Sequence, residues 1–316
     1  MKQSSVMEQP NFDPGLTQKF SGTLRRAINK DGSFNVHRTG TTWRDVHPYL
    51  FLINTNWWNF FFLMFAGYIV MNSLFALVYY SLGPDQLQGA DSPTEWAHFL
   101  NSFFFSAHTL TTVGYGSISP KGTAANVVAA IEAMVGLMGF ALATGLLYGR
   151  VSRPSAKIGY SSNLLITPYQ DITSLQFRVV NQRENILMEL DAIVTLMTVV
   201  GPPGNLRREF STLRLERRTV YFLPLTWTIV HPIDTHSPLY GKTHDDLAQL
   251  QAEVLVLIKG FDDTFSQTVH SRYSYRYDEI VWGARFTPAF NIDPEGDIVL
   301  EVDKVGALAA ADASKA

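Results

Sequence analysis

The chain has 316 residues, 25 lysine and arginine against 28 aspartate and glutamate, a formal charge of −3 and no cysteine. No nucleic-acid partner is expected of a chain with that balance, and the missing thiols exclude disulfides and thiolate chemistry. A mean hydropathy of +0.03 and a pI near 6.2 resemble an ordinary soluble protein of about two domains, but the average conceals two populations.

Residues 1–42 form an N-terminal segment with no apolar core or cleavage site of a secretory signal. An amphipathic stretch carrying Trp43, Arg44 and His47 follows, within 43–55. From Trp57 to Leu82 no residue is charged and Phe, Leu, Met, Val and Tyr crowd the sequence. That run meets the requirement of ~20 apolar residues for a spanning helix. Ser92-Pro93-Thr94-Glu95 then reads as a helix start, with proline early and an acid in the first turn. The apolar part behind it, Phe99 to Leu110, is too short to cross a bilayer. A second span runs from Thr123 to Tyr148, rich in Gly and Ala and interrupted only by Glu132. A half-crossing helix followed by irregular backbone at membrane depth is tolerated where it is buried or lines a watered cavity. Residues 56–153 therefore read as a pore unit: helix, re-entrant helix, loop, helix.

The loop of that unit is Thr111-Thr112-Val113-Gly114-Tyr115-Gly116. As a bare tripeptide Gly-Tyr-Gly suits any turn. Between two spans, four copies of such a loop supply rings of backbone carbonyls that replace the hydration shell of K⁺. Gly114 and Gly116 allow backbone angles that a Cβ resists, and Thr112 adds a hydroxyl ring at the inner end.

Lysines and arginines precede the first span (Lys2, Lys19, Arg25, Arg26, Lys30, Arg38, Arg44) and follow the second (Arg150, Arg153, Lys157), whereas the intervening loop has only Lys121. The positive-inside rule places both termini in the cytoplasm. After Pro154 the pattern becomes alternating and turn-punctuated. Strands are expected at Ser174–Val180, Asn185–Val200, Arg214–Thr219, Thr226–Val230, Glu253–Gly260, Glu279–Phe286 and Asp297–Val302. Together they read as an all-β sandwich over 154–305. Asn185–Val200 also fits a helix, but its β-branched residues favour a strand. Helical periodicity is confined to Thr243–Leu250, and the Ala-rich 306–316 reads as a flexible tail.

Several motifs together resemble the inward-rectifier potassium channels of the bacterial, KirBac-type branch, from about Trp43 to Val302. They are Phe103-Phe104-Phe105-Ser106 before the loop, Gly145-Leu146-Leu147-Tyr148 with Ser152-Arg153-Pro154 at the inner end, and Phe177-Arg178-Val179 with Asn181 and Arg183. Leu223-Pro224-Leu225-Thr226-Trp227, His231-Pro232-Ile233-Asp234 and Glu279-Ile280-Val281-Trp282-Gly283 complete the set. The resemblance implies a homotetramer in the bacterial inner membrane with one axial pore, an immunoglobulin-like cytoplasmic domain and gating by anionic phospholipids. It implies K⁺ bound by the carbonyls of Thr112, Val113, Gly114 and Tyr115, and a slide helix over 43–55.

By the same resemblance Phe140 stands where strongly rectifying members carry an acid that draws in Mg²⁺ or polyamines, which implies weak rectification; Glu189 matches an acid lining the cytoplasmic pore. Phe140, Thr144 and Tyr148 share one helix face. Such a face serves helix packing in general; the resemblance places Tyr148 at a helix-bundle gate. Glu132, the one charge inside a span, is by default functional or tied to a buried network, and the resemblance sets it behind the filter. His108 stands where a glutamate commonly braces the filter. Gly136, Gly139, Gly145 and Gly149 suit close packing or hinges. Arg150, Arg153, Lys157, Trp43, Arg44 and His47 suit anionic headgroups, and equally ordinary topological flanking. Thr264–Ser271 corresponds to a loop narrowing the cytoplasmic pore.

No nucleophile, base or metal-ligand cluster such as HExxH marks an enzyme, and no cofactor is expected beyond the permeant ion, with Ba²⁺ as a blocker. The rivals are a two-span K⁺ channel with another regulatory module, which lacks its Gly-rich phosphate loop here, and a K⁺ uptake transporter subunit, which needs several pore repeats per chain.

Overall fold

The computed structural model describes residues 15–16, 19–20, 26–40, 47–91, 93–152, 156–202 and 205–310. Two units result, one from 38–153 and one joining 1–37 to 154–316.

In the first unit a short helix α1 (Pro48–Asn54) precedes α2 (Trp57–Leu82), α3 (Glu95–Leu110) and α4 (Thr123–Val151). Both α2 and α4 are long and apolar enough to cross a membrane. Asn56 caps α2 by accepting the Asn59 amide at 2.7 Å. The expected helix start at Ser92 moves to Thr94, whose hydroxyl accepts the Ala97 amide at 3.2 Å while Pro93 stays outside the helix. At the other end α4 runs one turn past Tyr148. Helix α1 has His47 at its N-cap position and proline in its first turn.

The second unit is a two-sheet sandwich. In one sheet the order is 19–20, 206–212, 187–200, 253–262, 267–276, with 219–222 also pairing 187–200. In the other it is 226–233, 172–181, 164–169, 280–282, with 158–160 also on 172–181. All pairs are antiparallel except 280–282 against 164–169. Leu187–Val200 is one long strand, so the helical alternative falls. Alternate residues of the facing strands, among them Phe177, Val179, Leu190, Val194, Ile229 and Val256, fill the core between the sheets.

Four sequence expectations change. Arg214–Thr219 is no strand as far as Arg218 but a connector between two strands of one sheet: the Leu213 amide donates to Val194 of that sheet, and the Glu216 amide reaches Val230 of the other. Alternation alone cannot tell such a connector from a ladder; the true strands flank it at 206–212 and 219–222, both paired with 187–200. Glu279–Phe286 breaks at Gly283 (φ +67°) into Ile280–Trp282 and Ala284–Phe286, which join different sheets. The Thr264–Ser271 loop shrinks to a tight turn, because Gln267–Arg276 is a strand in register with Glu253–Asp262, and buried Asp262 accepts the Thr264 amide at 3.0 Å to close it. The tail expected from 306 first supplies a strand, Leu308–Ala310, paired with Ala284–Phe286. Helix α5 (His244–Gln249) forms as expected, with a capping box between Thr243 and Asp246.

The N-terminal segment is stitched to this sandwich. Ala27 and Ile28 pack on Met197 and Leu255. The Ala27 amide donates to both carboxylate oxygens of buried Glu253 at 3.1 and 3.0 Å, and the Ser274 hydroxyl donates to the Ile28 carbonyl at 2.7 Å. Arg26 and Lys30 both pair with Glu279, Lys30 at 2.7 Å.

Candidate functional site

The loop after α3 has a backbone of alternating hand. Thr112 (φ +60°), Gly114 (φ +55°) and Gly116 (φ +79°) are left-handed, whereas Val113 and Tyr115 are not. Such alternation turns successive carbonyls toward one side, the arrangement a carbonyl-lined ion path needs. Two glycines take this conformation freely. Thr112, which is β-branched, does so against its preference.

What holds the loop comes from α3. The His108 carbonyl accepts the amides of Val113 at 3.0 Å and Gly114 at 3.2 Å. The His108 ring meets the Tyr115 ring edge-on, with centroids 4.9 Å apart at 87°. The contact is thus ring against ring, made by the residue that stands where a glutamate is common. On a single chain Val113 is 51% and Tyr115 74% exposed.

Behind α3 lies Glu132, fully buried. Tyr79 donates to its Oε2 at 2.7 Å and Ser106 to its Oε1. Asn72 Oδ1 is 3.2 Å from the same Ser106 hydroxyl, and Asn72 Nδ2 donates to the Tyr68 carbonyl at 2.7 Å. One carboxylate therefore joins α2, α3 and α4, and the hydroxyl donors replace water that a bilayer cannot supply. Sequence reading missed Tyr79, Ser106 and Asn72. The available signal was a polar residue inside an apolar span, as Asn72 is in α2.

Gly136 is a packing glycine: a Cβ there would overlap the Leu110 carbonyl oxygen at the end of α3. A Cβ on Gly149 would stand 3.1 Å from the Tyr49 hydroxyl and 3.2 Å from Ile53, whereas Gly139 and Gly145 have open space. Below Gly136, Phe140, Thr144 and Tyr148 share an exposed face of α4, with the Thr144 hydroxyl donating to the Phe140 carbonyl at 2.9 Å.

The residues suggested for headgroups separate. Trp43, Arg44 and Arg153 lie outside the described residues. His47 is exposed at the start of α1, and Lys157 is exposed beside the strand Ile158–Tyr160. Arg150 departs from the headgroup reading, because its guanidinium donates to the carbonyls of Leu52, Ile53 (3.0 Å) and Thr55 (2.8 Å). Glu189 is exposed, with φ +50°, where the pairing of Leu187–Val200 with Glu253–Asp262 shifts register. Among the described residues no cluster of His, Asp or Glu could hold a metal ion.

Two spans, a re-entrant helix, one alternating-hand loop and an appended β sandwich define a two-span pore-loop ion channel. Sequence comparison agrees: a family described as "Ion channel" matches residues 67–152, and one described as "Inward rectifier potassium channel C-terminal domain" matches residues 158–315. The chain is 37% identical over 288 residues to the inward rectifier potassium channel Kirbac3.1 of Paramagnetospirillum magnetotacticum, covering 90% of this chain and 96% of that protein. It is 27% identical to the human G protein-activated inward rectifier potassium channel 3, over 94% of this chain and 81% of the relative. It is 25% identical to the G protein-activated inward rectifier potassium channel 1 of Gallus gallus, over 86% and 60%. The chain belongs to the inward-rectifier potassium channel family, ion channels and not enzymes, and is an integral membrane protein that passes K⁺ passively.

Proposed function

We propose that four copies of this chain assemble around one axial pore in a bacterial inner membrane, both termini cytoplasmic, to form a weakly inward-rectifying channel regulated by anionic phospholipids. The observation that carries this reading is the alternating-hand backbone of Thr112 to Gly116. It supplies one wall of a filter, and a ring of carbonyls needs four. The exposure of Val113 and Tyr115 on one chain fits the same need. K⁺ is the permeant ion, held by the carbonyls of Thr112, Val113, Gly114 and Tyr115, and no cofactor takes part.

The apolar Phe140 gives the cavity no field for internal Mg²⁺ or polyamines, which supports weak rectification, and Glu189 remains as an acid that concentrates cations. Tyr148, exposed near the inner end of α4, is the gate: four such rings form an apolar constriction that stops conduction by dewetting. The positive charges flanking the spans, with one lysine between them, support the cytoplasmic termini. Exposed Lys157 supports attraction to anionic lipid, a basic residue near the surface being worth ~1 kcal/mol.

Reconstituted in liposomes, the protein should pass K⁺ and Rb⁺ far better than Na⁺ and Li⁺ and be blocked by Ba²⁺. Tyr148→Ala should raise basal flux with selectivity retained. Comparable Na⁺ and K⁺ flux from folded tetramers would overturn the filter assignment, and wild-type flux of Tyr148→Ala across lipid mixtures would move the gate elsewhere.

A further inference from the structure

Helix α1 ends at the C-cap residue Thr55, which is extended and satisfies only one of the last carbonyls. Of its last carbonyls, that of Phe51 accepts the Thr55 amide at 3.0 Å. Those of Leu52 and Ile53 are left as orphan acceptors, which a helix terminus must satisfy from outside. The partner lies almost a hundred positions away in the chain. Arg150, in the last turn of α4, sends Nη1 to the carbonyls of Leu52 and Ile53 and Nη2 to that of Thr55. Its guanidinium also lies 4.6 Å from the ring centroids of both Trp57 and Phe60, at the start of α2. A cation at a helix C-terminus complements the negative end of the helix dipole, and a cation over two aromatic faces gains further attraction. The planar fork is matched to several acceptors at once, which an ammonium on a flexible stem is not. Beside it, the close approach of Tyr49 and Ile53 to Gly149 seats α1 on α4.

We infer that Arg150 is a positioning residue that latches α1 to the end of α4, two residues from Tyr148, and that this guanidinium serves protein carbonyls and rings instead of lipid phosphates. Its charge is consumed inside the pore unit, so the response to anionic lipid falls to other basic residues. The two assignments differ in what the conservative variant does. A headgroup site tolerates Arg150→Lys, because the charge survives. The latch does not, because one ammonium cannot satisfy three carbonyls while lying over Trp57 and Phe60.

The test uses the full-length tetramer with Arg150→Lys, Arg150→Gln and Trp57→Leu, the last weakening the latch without touching charge. Amide hydrogen exchange of residues 49–56 is followed in neutral detergent, where no anionic headgroup is present. Flux is then measured in phosphatidylcholine liposomes with increasing phosphatidylglycerol. The latch predicts exchange at least about fivefold faster in both Arg150 variants and an intermediate acceleration in Trp57→Leu. It also predicts that the phosphatidylglycerol fraction giving half-maximal effect stays as in wild type. Unchanged exchange in the Arg150 variants overturns it, whatever the flux does. So does a wild-type Arg150→Lys alongside a shifted lipid midpoint in Arg150→Gln. Should the Arg150 variants fail to assemble, wild-type exchange in Trp57→Leu overturns it alone.

Discussion

The helices of the pore unit bury polar side chains alongside apolar ones and leave large apolar residues outside, whereas the core between the sheets is filled by apolar side chains. Between the sheets the core is aliphatic and aromatic: Phe177, Leu190, Val194, Ile229, Val256 and Ile258 are all at or below 1% exposure. In α2, α3 and α4 the buried set includes Asn72, His98, Ser102, Ser106 and Glu132, whereas Phe62, Phe65 and Leu142 lie on the outside. Water drives apolar groups inward only where water is the solvent. In a bilayer an outward Phe costs nothing and polar groups must find partners, so hydrogen bonds and close packing of small residues hold the helices together.

The largest test of that contrast sets one phenylalanine against another. Phe177→Ala in the sandwich core should cost about 3–5 kcal/mol through lost burial and the cavity left behind. Phe65→Ala on the outer face of α2 should stay within about 1 kcal/mol, read as thermal unfolding of the detergent-solubilised protein. Equal losses would show that the outside of α2 is covered by protein. Next in size is Glu132→Ala, which strands the Tyr79 and Ser106 hydroxyls at about 1–3 kcal/mol each. Glu132→Gln keeps an acceptor oxygen and should recover part of the loss. If both variants match wild type in tetramer melting, the carboxylate does not hold the helices together.

The stitching of the N-terminal segment should respond to acid. Burial raises the Glu279 carboxyl, but hydrogen bonds from Lys30 and the Arg276 amide, with the charges of Arg26 and Lys30, outweigh it and hold it below the usual value of 4.5. A carboxyl depressed in the folded state contributes stability above its unfolded value and loses it as pH falls through the folded one. Proteolysis of the segment should therefore be steady across neutral pH and accelerate only below about pH 4.5. Glu279→Gln should reproduce that release at pH 7, at about 1 kcal/mol because Lys30 is half exposed.

The smallest effect belongs to His231. Burial holds its imidazole below the ordinary value of 6.5, against the hydrogen bond to the Arg214 carbonyl and the charge of Asp234. Its other nitrogen faces the Ser237 hydroxyl at 2.8 Å. The unfolded chain takes up the proton more readily, so the sandwich should have this contribution in full above pH 6.5 and lose it as pH falls below. His231→Gln should flatten melting temperature against pH between about 7 and 5. An unchanged slope would assign it to other groups.

The same contrast explains what could be read in advance. The spans were legible because membrane depth demands long apolar runs, and the alternating-hand loop because Gly114 and Gly116 mark where left-handed backbone is free. Strands such as Leu187–Val200 were legible where β-branched residues accumulate. Arg214–Thr219 was misread because a connector between two strands alternates as a strand does. The edge-on contact of His108 with Tyr115 depends on how the loop folds back on α3. The hold of Arg150 on α1 depends on the approach of segments far apart in sequence, which no local pattern records. The left-handed turn at Thr112 ran against residue preference, so composition argued the other way.

Gly136 has a mechanical consequence. Its backbone rests directly on the Leu110 carbonyl, so the upper half of α4 and the end of α3 move as one body. Any swing of α4 must begin below that point, where Gly139 and Gly145 meet no neighbours. At about 1.5 Å per residue, the arm from Gly136 to Tyr148 is roughly 18 Å long, and a tilt of about 10° carries its end about 3 Å. With a fixed pivot above and an arm beneath that carries α1 with it through Arg150, a small rotation displaces the aromatic end by about the width of a water molecule and leaves the loop from Thr112 to Gly116 where it stands.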